Sequence, residues 1–73
     1  MWHARGAVRN AEGQIVVLSE GSALWKDKAA LIKEMELSHP GLVPVAAPID
    51  GVGEWFGWVD QDGTQRFVVI EEA

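Results

Sequence analysis

Apolar and polar positions alternate along residues 2–9. Trp2, Ala4, Gly6 and Val8 lie on one side and His3, Arg5, Ala7 and Arg9 on the other. A period of two predicts a half-buried strand, here at or near a sheet edge. Asn10-Ala11-Glu12-Gly13 supplies a turn, with Gly13 suited to the left-handed position of a short hairpin loop. Gln14 to Ser19 is apolar on both faces and β-branched, the pattern of a central strand. Beyond Glu20-Gly21-Ser22 the spacing becomes helical. Leu24, Leu31 and Met35 share a stripe with Trp25, Ala29 and Ile32 beside it, which predicts a helix from Ala23 to about Leu37. Ser22 is the expected N-cap, and Asp27 offers a later start. Ser38-His39-Pro40-Gly41 ends the helix, because the residue before a proline is pushed out of the helical region. Leu42 to Ile49 is apolar but carries Pro44 and Pro48, which restricts it to an edge strand or an extended connection. Asp50-Gly51-Val52-Gly53 then reads as a turn.

Residues 54–70 read as a β-hairpin apolar on both faces. An Asp-Gly pair between apolar runs signals a two-residue type I′ turn. With Asp62-Gly63 as that turn, Arg66 faces Val59, Phe67 faces Trp58, Val69 faces Phe56 and Ile70 faces Trp55. One face then carries Phe56, Trp58, Phe67 and Val69, and the other Trp55, Val59, Val68 and Ile70. The element order β-β-α-(β)-β-β predicts an α+β fold, an antiparallel sheet of four to five strands with one helix on one face. A domain this small covers only one sheet face with its helix, so the other is the expected contact surface. Core packing is the competing role for Trp55, should Trp2 or the Pro-rich connection fold across that face.

The 73 residues fit a single domain, 1–73, near the size where one core is only marginally sufficient. The absence of cysteine excludes disulfides and thiolate metal sites. With no long apolar run for a signal or membrane helix, a cytoplasmic protein is expected. Charge divides unevenly along the chain. Residues 1–33 carry five basic and three acidic side chains, +2, and residues 34–73 carry one basic and eight acidic, −7. An acidic half repels phosphate backbones and favours basic partners.

The chemistry-bearing residues do not converge. His3 and His39 are the only histidines, and spacing gives neither a catalytic or metal-binding partner. Gly51-Val52-Gly53 has no following helix or lysine to make a phosphate loop. Asp60 and Asp62 suit a turn better than a carboxylate pair. No catalytic residue, metal or cofactor is expected. Base stacking on the sheet aromatics is disfavoured because Arg66 is the hairpin's one basic residue among Glu54, Asp60, Asp62, Glu71 and Glu72.

A non-enzymatic protein-binding module is therefore the expected function. Its candidate contact residues are Trp55, Arg66, Val68 and Ile70 on the uncovered face, rimmed by Glu54, Asp60, Glu71 and Glu72. Trp and Arg are enriched among binding hot spots. The expected partner is a protein, basic or a second copy, meeting the uncovered face or an edge strand, with no direct nucleic-acid or membrane contact. One alternative is a phage or mobile-element inhibitor whose acidic half occludes a basic groove of a host nucleic-acid-binding complex, an anti-defence role. Another is a small enzyme or ligand carrier, which needs a concave pocket with converging polar groups.

Overall fold

The computed structural model describes residues 1–48 and 53–73. The elements are β1 (Trp2–Arg9), β2 (Ile15–Gly21), α1 (Lys28–Ser38), β3 (Val43–Pro44), β4 (Glu54–Val59) and β5 (Gln65–Glu72). The strands form one antiparallel five-stranded sheet, ordered β2-β1-β5-β4-β3, and α1 packs on one face, the expected α+β arrangement. The turn expected at Asp50–Gly53 falls mostly on residues 49–52, outside the described residues.

Strand placement departs from the pattern in two ways. β1 lies inside the sheet, between β2 and β5, and β2 is an edge. The cationic side of β1 mimics a solvated face because its charges are met locally. Arg5 and His3 bond Glu71, and the Arg9 guanidinium lies 5.9 Å from the Phe67 ring centre. β2 resembles a central strand because its apolar residues serve opposite sides. Ile15 and Val17 pack on the core, whereas Val16 and Leu18 stay 43% and 46% exposed. A bulge interrupts the β1–β2 ladder, where the register passes from Arg5–Gly21 to Ala7–Val17. Bulges bend and twist their strand.

The helix starts later than Ala23, at Lys28. Asp27 is its N-cap, the Asp27 carboxylate accepting from the Ala29 N–H at 3.0 Å. Ser22 is used elsewhere, since its Oγ accepts from the Ala4 N–H at 2.9 Å. Residues 22–25 are held beside β1 instead, with Trp2 and Trp25 exchanging two backbone hydrogen bonds of 2.7 Å each. Leu24 is consequently exposed and no part of a helical stripe, whereas Leu31, Ile32 and Met35 do face the sheet.

The terminal hairpin turns through a longer loop than a type I′ turn. The Asp60 N–H bonds the Thr64 carbonyl at 2.8 Å and the Gly63 N–H bonds the Asp60 carbonyl at 2.9 Å, enclosing Gln61, Asp62 and Gly63. Only Gly63 has positive φ, +83°, which is the type I turn with a glycine bulge; type I′ would need positive φ at Asp62 too. The first hairpin repeats the device with Asn10 to Gln14 and Gly13 at +82°. Pairing therefore slips by one residue from expectation: Trp55 faces Val69, Phe56 faces Val68, Gly57 faces Phe67 and Trp58 faces Arg66. The expected Trp58–Phe67 aromatic pair does not exist. A slip of one turns a strand's side chains to the opposite face.

Two apolar layers result. Ala4, Phe56, Val68, Ile70 and Leu31 form the layer under α1, with Trp2, Trp25, Met35 and Trp58 around it. Ala7, Trp55, Phe67 and Val69 form the other, closed by Ile15, Val17 and Val45. The face away from the helix is thus filled by the chain's own side chains, leaving Trp55 6% and Val69 1% exposed. Part of that cover is the Pro-rich connection, whose Val45 N–H bonds the Trp55 carbonyl at 3.0 Å.

Candidate functional site

The register separates the expected contact residues. Val68 and Ile70 lie under the helix, 2% and 1% exposed, while Trp55 is buried on the opposite side of the sheet. They form no common apolar surface. Arg66 is half-buried and its Nε donates to Asp60 Oδ2 at 2.6 Å. The hydrogen bond from Arg66 holds the Asp60 carboxyl below the usual range, aided by the Gln61 N–H.

The acidic rim is largely engaged within the fold. Burial disfavours the charge on Glu71, but hydrogen bonds from Arg5 and His3 outweigh it and keep the carboxyl below its ordinary value. His3 Nε2 lies 3.1 Å from Glu71 Oε1, and Arg5 Nε donates to the same oxygen. Glu54 accepts from Lys28 Nζ at 2.7 Å, and Glu72 is exposed opposite Trp2 in the central ladder. Asp62 caps its own loop by accepting from the Thr64 N–H, which lowers its pKa.

The second histidine is also placed by packing. His39 caps the C-terminus of α1, its N–H bonding the Met35 carbonyl, and its ring stacks on Trp58 at 4.0 Å between centroids. A depression of about 290 Å³ adjoins the pair, lined by Ser38, Pro40, Val59, Asp60 and Gln61. No group of three or more His, Asp or Glu among the described residues is arranged to hold a metal ion. No helix among them is long and apolar enough to cross a membrane.

What the sheet leaves open is one of its edges. β3 is a two-residue edge containing Pro44, which lacks an N–H and resists further pairing. β2 is a seven-residue edge. Residues of an antiparallel ladder alternate between facing the partner strand and facing away. Counted from the Asn10–Gln14 bond, Val16 turns its N–H and C=O toward β1, and Ile15 and Val17 turn theirs outward. Val16 and Leu18 lie on the helix side of this edge, with Leu18 over Gly6, 3.4 Å from where a Cβ would stand.

No family model matches the chain, and no curated protein or solved structure matches it. The geometry therefore carries the functional reading. Val16 and Leu18 are the residues that the sequence pattern misassigned, because a continuous apolar run reads as a buried strand. Nothing local marked this strand as an edge, since Gln14 to Ser19 carries none of the Lys, Arg or Pro that commonly guard one.

Proposed function

We propose that the chain is a non-enzymatic protein-binding module that takes up a partner strand along β2. The single observation carrying this reading is the contrast between the sheet's edges: β3 is short and proline-blunted, whereas β2 offers outward backbone groups beside exposed Val16 and Leu18. Strand addition draws affinity from main-chain hydrogen bonds and specificity from alternate side chains. The acidic rim is a weaker basis for recognition, since Asp60, Glu71 and Glu54 already bond Arg66, Arg5 with His3, and Lys28.

Capture from extracts of the native host on the immobilised chain tests the proposal. The wild type should retain a protein, the chain itself included, that Leu18→Lys releases. An identical set of proteins on both would remove β2 as the contact.

A further inference from the structure

We infer that the strand added at β2 is β2 of a second copy, paired antiparallel about Val17; the inference rests on the strand-addition reading above. Two identical strands pair antiparallel about a twofold axis, so each contact is made twice. Val17 is suited to the axis because its N–H and C=O point outward and can be exchanged with those of the partner's Val17. In that register Val16 faces Leu18 of the second copy, and Leu18 faces its Val16. The two exposed apolar side chains of β2 are thereby covered by each other. An axis at Val16 would instead set Val16 against its own copy and Leu18 against Gln14, leaving Leu18 without an apolar partner.

Charge distribution favours the same encounter. Residues 1–33 sum to +2 and Gln14 to Ser19 carry no charge, while the −7 half supplies β3, β4 and β5. β2 is the sheet edge opposite β3 and β4, so two copies meeting there keep their acidic strands far apart. Closure is also set by the edges. Once β2 is paired, the remaining edge on each copy is the Pro44 strand, and growth stops at two.

Sedimentation of the purified full chain over a concentration series tests the inference, with thermal melts by circular dichroism as the folding control. The wild type should approach twice its 8.0 kDa mass as concentration rises. Leu18→Lys should raise the dissociation constant at least about tenfold, or 1.4 kcal/mol. Combining Val16→Glu with Leu18→Lys sets a glutamate against a lysine at both symmetric positions and should restore the dimer. A wild type that stays monomeric at every concentration overturns the inference whatever the variants do. So does a dimer indifferent to Leu18→Lys, or one that the double variant does not recover. A monomer that still retains a host protein through a contact sensitive to Leu18→Lys would overturn the second copy alone. Loss of both behaviours would overturn strand addition as well.

Discussion

Protonating Glu71 removes the charge that Arg5 and His3 share. Its folded pKa is lowered, so the unfolded chain binds the proton more readily. The stabilisation is complete above the ordinary carboxylate value and is lost as pH falls through the folded one. Glu71→Gln should therefore cost on the order of 1 kcal/mol at neutral pH, discounted for the partial exposure of Arg5. The gap from wild type should close as pH is lowered through and below the ordinary carboxylate range. Urea midpoints measured across that series check it, and a gap that widens in acid would refute the assignment. Gly53 is constrained by space as well as by conformation. Its φ is +104°, and a Cβ there would stand 2.6 Å from Val69 Cγ2 and 2.9 Å from the Ile70 carbonyl oxygen. Gly53→Ala should destabilise by about 2 kcal/mol or more, because the strained backbone and the neighbouring carbonyl both oppose it. Gly63 also needs positive φ, but nothing lies within 4 Å of its missing Cβ. Gly63→Ala should cost only about 1 kcal/mol, so the two melting shifts separate packing from backbone strain.

The elements show where local pattern suffices. The helix stripe of Leu31, Ile32 and Met35 was legible because side chains three to four residues apart share a face. Its start was not, because Ser22 and Asp27 are both good caps and the choice depends on β1 taking up residues 22–25. Asp27→Ala should cost about 1 kcal/mol through the lost cap. Ser22→Ala should instead weaken the β1 contact and leave the helix signal in circular dichroism unchanged. The terminal hairpin was legible as a hairpin but not in register. Asp62-Gly63 serves a two-residue and a three-residue loop equally well on paper, and one residue decides which of Trp55 and Phe56 joins Val68. That slip dispersed the candidate site, placing Trp55 on one face and Val68 with Ile70 on the other. The open β2 edge was illegible for a different reason. Which strand lies outermost depends on the pairing of β1 with β5, a contact between chain ends that leaves no mark in local periodicity.

For the whole molecule, apolar layers on both faces leave no broad sheet surface open to a partner among the described residues, and recognition moves to the rim. Pairing at β2 should therefore depend only weakly on salt, because the contact is main-chain and apolar. A sedimentation constant that weakened steeply with added salt would instead favour the acidic half as the contact. The central ladder also governs how the molecule can assemble in time. Trp2 pairs with Glu72 and Val8 with Arg66, so the first and last strands form the middle of the sheet. Contacts between distant residues form slowly because the intervening chain must first be gathered. During synthesis the β1–β2 hairpin must wait, with its apolar residues uncovered, until the final strand leaves the ribosome. A chain stopped at Thr64 would keep the partners of the β1–β2 and β3–β4 pairs but lack the one strand that joins them.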